Sequence, residues 1–140
     1  MKKKFGSFPM GADARERIRL SEYVQLKEEI KADKLRLAQL AGRLVGENPA
    51  GIPEGLDHEM LAPYRDRICE NLARCVEALT EIQDYINSIE DSEMRRLFTL
   101  RYINGYSWQK VAFLIGEHDE SYPRRKHNAY LKKHPHFSQP

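Results

Sequence analysis

Ile68, Leu72, Cys75, Leu79, Ile82, Ile86 and Ile89 fall at alternating steps of four and three, an unbroken heptad seam. An α-helix turns once every ~3.6 residues, so such a run lines one face, and that face must be buried against another helix. A second seam lies upstream, formed by Tyr23, Leu26, Ile30, Asp33, Leu37, Leu40 and Leu44. Two seams of comparable length predict helices over 16–45 and 63–90 that fold back as a long antiparallel helical hairpin. Asp33 is the only polar member of its seam, with Lys27, Lys31, Lys34 and Arg36 around it. A polar seam residue fixes register or oligomeric state at a cost in stability; the alternative is that Asp33 sits at the seam's edge, in water. Leu20, Val24, Leu35 and Val76 lie off the seams. They are left either for a homodimer contact through the hairpin or for packing beneath the C-terminal segment.

Between the seams, Gly46, Pro49, Gly51, Pro53, Gly55 and Pro63 punctuate the chain and no strand-like alternation replaces the helical pattern. This stretch reads as a loop or as an ordered cap over the hairpin's end. Residues 1–13 and 134–140 read as tails, leaving 14–90 for the hairpin and 91–133 for a second domain.

That second domain is expected to hold three helices, over 92–103, 107–115 and 121–133. Asp91 or Ser92 is placed to cap the first, and Met94, Leu97, Phe98, Tyr102 and Ile103 give it an apolar face. Asn104-Gly105-Tyr106-Ser107 interrupts the pattern. Ser107 is a capping residue for the next helix, whose apolar face is Trp108, Val111, Ala112 and Ile115. Gly116 follows, where a helix end favours a residue that tolerates positive φ. The last helix is basic and splits cleanly into two faces. Pro123, His127, Tyr130 and Leu131 fall on the core side, and Arg124, Arg125, Asn128 and Lys132 on the exposed side. Two short helices joined by a tight turn, the second one basic, form the arrangement that sets a helix into the major groove of double-stranded DNA.

Charge is distributed to match. From residue 95 onward there are 9 Lys/Arg against 3 Asp/Glu, whereas the first 94 residues hold 14 against 18. A basic end on a mildly acidic body suits a DNA-contacting module attached to an assembly or partner-binding module. Within the basic end, Arg124, Arg125 and Asn128 are the candidates for base contact. Arg donates a bidentate pair to guanine O6/N7, and Asn pairs with adenine N6/N7. Lys126, Lys132 and Lys133 suit phosphates, which add affinity without sequence information. Ser107, Gln109 and Lys110 open the preceding helix, whose N–H groups also favour a phosphate. Ser121 and Tyr122, next to Pro123 where the last helix is expected to begin, complete the candidate surface. Trp108 and His127 are expected to pack inward.

Leu100-Arg101-Tyr102, Gly105, Ser107-Trp108, Val111-Ala112, Gly116 and Leu131-Lys132-Lys133 resemble region 4 of bacterial sigma factors, the helix-turn-helix that reads the −35 promoter element. The Tyr-Ile-Asn-Gly-Tyr-Ser-Trp run is similar to that of small phage- and prophage-encoded regulators with a helical N-terminal half and a sigma-region-4-like C-terminus. The resemblance implies an all-α fold, a regulator of phage or prophage transcription, and RNA polymerase as a further partner. Two departures stand out. Glu117-His118-Asp119-Glu120 makes a longer turn than sigma factors use, and Pro123 stands where they carry a β-branched core residue.

Other classes find less support. There is no GxSxG elbow, no phosphate-cradling glycine loop and no HExxH, so no enzyme and no cofactor are expected. Cys69 and Cys75 lack metal-ligand spacing and read as reduced thiols. The basic start lacks a signal peptide's apolar run and no stretch approaches a membrane span, so a cytoplasmic protein is expected. Two rival readings remain: a phage small-terminase-like packaging protein, and a helix-turn-helix that binds protein, as an anti-repressor or polymerase-binding factor.

Overall fold

The computed structural model describes residues 12–44 and 58–136. Their regular structure is entirely helical: α1 (Ala12–Ser21), α2 (Tyr23–Leu44), α3 (His58–Asn87), α4 (Ser92–Phe98), a π-helical turn (Thr99–Ile103), α5 (Trp108–Leu114) and α6 (Ser121–Lys133). Most of the residues expected as tails, and most of the Gly/Pro-rich stretch between the seams, lie outside the described residues.

The long first helix expected over 16–45 is two helices. Ser21 turns its hydroxyl back onto the Arg17 carbonyl at 2.6 Å. Such a bond competes with the helical ladder and bends it. Glu22 donates to the Arg19 carbonyl at 3.2 Å, a tightened turn, and α2 resumes at Tyr23. The next helix starts earlier than expected, at His58, which leaves Pro63 inside it. A proline there removes one ladder bond and costs ~3 kcal/mol. The added turn recovers part of this by burying Leu61 against Leu40 with Tyr64 packed over both, at ~1.5–3 kcal/mol for a fully buried leucine.

The described residues divide into two compact units, Gln25–Glu81 and the combination of Met1–Val24 with Ile82–Pro140. Both divisions fall inside helices, in α2 and α3.

Within Gln25–Glu81, α2 and α3 meet in opposite chain directions. Leu40 packs with Leu61. Asp33 bonds to Asn71, and the Cys75 thiol lies 4.0 Å from a Glu29 oxygen. Burial, together with the Glu29 and Asp33 carboxylates, pushes that thiol above its usual range. Asp33 is only 3% exposed. Its Oδ2 accepts from Asn71 Nδ2 at 2.7 Å and its Oδ1 from Arg36 Nη1 at 2.7 Å. The polar seam residue is therefore enclosed and partnered across the seam, not solvated at its edge. Leu35 and Val76 stay exposed.

The other unit is centred on Phe98. Its ring meets those of Tyr85, Tyr102, His127 and Tyr130 at centroid distances of 6.2, 5.8, 5.0 and 5.5 Å. Ile82, Ile86, Ile89, Leu97, Val111 and Leu131 close the core around it. α1 packs on α6, burying Leu20 completely. Glu16, also fully buried, accepts from the His136 backbone N–H at 2.9 Å. Tyr85 donates its hydroxyl to the His134 carbonyl at 3.2 Å. Residues 134–136, expected as the start of a tail, are thus fastened to the unit. Gly105 has φ +75°, a turn conformation that calls for glycine, and a Cβ there would stand 3.3 Å from Val24 Cγ2.

Asp33→Ala leaves the Asn71 amide short of its partner in a closed seam. We expect a loss of ~1–3 kcal/mol in urea unfolding. The paired replacement Asp33→Leu/Asn71→Leu, which removes both polar groups, should cost less than Asp33→Ala alone; a double variant as damaged as the sum of its parts would show that the bond does not hold the seam.

Candidate nucleic-acid interface

The candidate surface is built on α5 and α6, and the helix beneath them sets their position. Asp91 caps α4, accepting from the Glu93 and Met94 N–H groups at 2.9 and 3.3 Å. At Thr99 the ladder lengthens by one residue: the Asn104 N–H reaches the Thr99 carbonyl at 3.0 Å, and Thr99 Oγ1 back-bonds to the Arg95 carbonyl at 2.8 Å. The wider turn leaves Tyr102 buried, with its hydroxyl on His127 Nε2. His127 Nδ1 lies 2.9 Å from Asn128 Oδ1. A side-chain amide oxygen only accepts, so Nδ1 donates to Asn128, while the Tyr102 hydroxyl partners Nε2. Both ring nitrogens are thus bonded, in a site with no exposed surface.

Ser107 caps α5, its Oγ accepting from the Lys110 N–H at 3.2 Å. Trp108 is half-buried, its ring edge-to-face with His127 at 4.8 Å and covered by the Arg101 guanidinium at 4.7 Å. At the other end, Arg96 Nη2 donates to the Leu114 carbonyl at 3.2 Å, and Gly116 takes φ +84°. In the turn, Asp119 Oδ1 accepts from the Ser121 N–H at 3.0 Å, so the cap of α6 comes from Asp119 and not from Glu120. The longer turn is accounted for by this cap. α6 starts at Ser121, which puts Pro123 in the first turn, where a missing N–H forfeits no ladder bond.

α6 presents the two faces read from its sequence. Pro123, His127 and Leu131 are buried and Tyr130 is half-buried, whereas Arg124, Arg125, Lys126, Lys132 and Lys133 are exposed. Asn128 is half-buried and held by His127. The candidates do not form one cluster. Gln109 shares a shallow concavity of about 290 Å³ with Glu117, His118 and Glu120, next to the start of α6. Lys126 and Lys133 lie on another flank, lining a groove of about 890 Å³ with Tyr85, Asp91 and Tyr130. Lys132 is eight residues beyond Arg124, ~12 Å along the axis. Lys110 folds over the Tyr106 ring at 4.1 Å, and Lys126 over Tyr122 at 5.6 Å.

The residues that sequence reading passed over are acidic. Arg124 pairs with Glu120 at 3.8 Å, and Arg125 lies 4.0 Å from Asp119 while donating to Ser121 Oγ at 2.6 Å. The i,i+4 spacing of Glu120 and Arg124 was a readable signal. The Asp119 contacts depend on the turn's shape and had none.

Comparison of the chain with protein-family models, curated proteins and solved structures finds no match.

Burial holds the Tyr102 phenol above its usual range, with the Arg101 and Arg17 charges opposing. A folded-state pKa above the unfolded one means the folded protein keeps its proton longer. Stability from this group is therefore complete below about pH 10 and is lost as pH rises through the folded value, by at most ~1.4 kcal/mol per pH unit. Tyr102→Phe should flatten that alkaline decline. At pH 7 it should also lower stability by ~1–3 kcal/mol, because His127 Nε2 loses its partner; unfolding curves at pH 7 and above about pH 10 check the two effects separately.

Proposed function

We propose that this protein is a DNA-binding transcription regulator in which α5, the turn and α6 act as a helix-turn-helix. The observation that carries the proposal is the division of α6. One face is sealed into an aromatic core by Pro123, His127 and Leu131, and the opposite face offers Arg124, Arg125 and Lys132 to solvent. A basic helix fixed in rotation by its buried side is what entry into a major groove requires. The likeness of residues 100–133 to sigma-factor region 4 supports the same reading and points to phage or prophage genes as its setting.

In this reading Arg124 and Arg125 face bases, Asn128 has its amide nitrogen to offer because its oxygen is bonded to His127, and the lysines at the helix's end, with Ser107, Gln109 and Lys110, take phosphates. α2 and α3, paired in opposite directions through Asp33 and Asn71, form a helical hairpin that serves as the dimer or polymerase contact. Exposed Leu35 and Val76 fit that role. A protein contact is also favoured by Phe113, 78% exposed on α5, where RNA polymerase is the proposed partner.

Selection of bound fragments from the encoding genome at ~150 mM salt tests the proposal with wild type and Arg124→Ala/Arg125→Ala. A few discrete sites should be recovered and lost in the variant, with affinity reduced by ~10- to 100-fold for one to two lost base contacts. Weak, uniform recovery that the variant leaves unchanged would end the case for base reading by α6 and move it to protein binding.

A further inference from the structure

Six charged residues surround the start of α6: Glu117, Asp119, Glu120, Arg124, Arg125 and Lys126. Their formal charges cancel. A surface built only to hold phosphates would be expected to stay net positive, because each neutralised phosphate contributes to affinity. Here the two central arginines are instead engaged by carboxylates of the preceding turn. Arg125 Nη1 donates to Ser121 Oγ at 2.6 Å, and Ser121 Oγ donates to Asp119 Oδ2 at 2.7 Å. The Ser121 N–H bonds the other Asp119 oxygen at 3.0 Å. Arg124 Nη1 faces Glu120 Oε1 at 3.8 Å.

Resting on the DNA-binding reading above, we propose that Asp119 and Glu120 are selectivity residues, holding Arg125 and Arg124 so that backbone phosphate must compete with an intramolecular anion. A phosphate offers Arg125 little beyond what the turn already supplies, one anion in exchange for another. A guanine edge differs. The guanidinium has five N–H donors and the Ser121 relay engages one Nη, so a bidentate contact to O6/N7 is compatible with an intact relay. The two carboxylates also stand well within a Debye length, ~10 Å at 0.1 M salt, of any phosphate that reaches these arginines. Loss of non-specific affinity with retention of base contact raises the ratio between specific and random sites, the quantity that decides occupancy in a genome. The bonds from Ser121, backbone first and then hydroxyl, hold the Asp119 carboxyl below its usual range, so it stays charged at any pH where DNA binding is measured.

The test is equilibrium binding to a random-sequence duplex of about three helical turns, titrated across ~50–200 mM salt. Asp119→Asn/Glu120→Gln removes both charges. Asn is as good a helix cap as Asp, so α6 should still form. The double variant should bind random duplex ~3- to 10-fold more tightly at the low-salt end, with the slope of log K against log salt steeper by up to about 2, one phosphate for each released arginine. That gain should vanish when the same substitutions are made in Arg124→Ala/Arg125→Ala. Glu117→Gln, which removes one charge from the same turn at a residue that pairs with neither arginine, should give less than half of that gain in log K, and one that persists without them.

An unchanged affinity and slope in Asp119→Asn/Glu120→Gln would overturn this proposal alone, provided wild-type binding still depends on the arginines. So would a gain that survives loss of the arginines, or one of which Glu117→Gln reproduces half in log K, as its single charge would if charge alone mattered. Wild-type binding indifferent to Arg124→Ala/Arg125→Ala would remove the DNA reading and this proposal together.

Discussion

His127 lies fully buried with Tyr102 on one ring nitrogen and Asn128 on the other, and Phe98 and Trp108 pack against its faces and edge. A buried polar ring with both nitrogens committed tolerates very little rotation, since turning α6 would strand them away from water. The position of the basic face therefore follows from the core, and so does the orientation of Asn128, whose amide oxygen is bonded to the ring. Tyr102 reaches His127 from the π-helical turn, the one place in the described chain where the helical ladder is lengthened. A local irregularity in one helix and the rotational setting of another are parts of a single hydrogen-bonded arrangement.

Much of this was legible in residue spacing. The seams of α2 and α3 were readable because a heptad run demands a partner face, and every seam residue whose side chain is described is at least half-buried. The inward set of α6 was readable for the same reason. The departures have local causes that periodicity does not register. Ser21 breaks the first helix through a side-chain bond to the Arg17 carbonyl, and serine is common enough inside helices that its presence alone signals nothing. Pro63 marks a helix start in most sequences, but here the burial of Leu61 extends the helix one turn before it.

The candidate surface was read with its cations and without their counter-ions. Counting charge from residue 95 onward yields a basic end. At the start of α6 that basicity is locally cancelled, because Asp119 and Glu120 are brought against Arg125 and Arg124. Net charge describes long-range attraction, whereas selectivity is decided by which groups each arginine must leave in order to bind. The two scales point in different directions within one short segment.

Asp33 and Asn71 have a consequence for how this chain can vary. Each finds its partner from within a helix, so the register of α2 against α3 is recorded in the helices themselves. Slipping one heptad would set Asp33 opposite Ala78 or Tyr64 and leave a buried carboxylate without its amide. The alignment of α2 with α3 is then written into side chains of the two helices. A substitution at Asp33 or Asn71 would therefore need a matching change at the other position to keep that register.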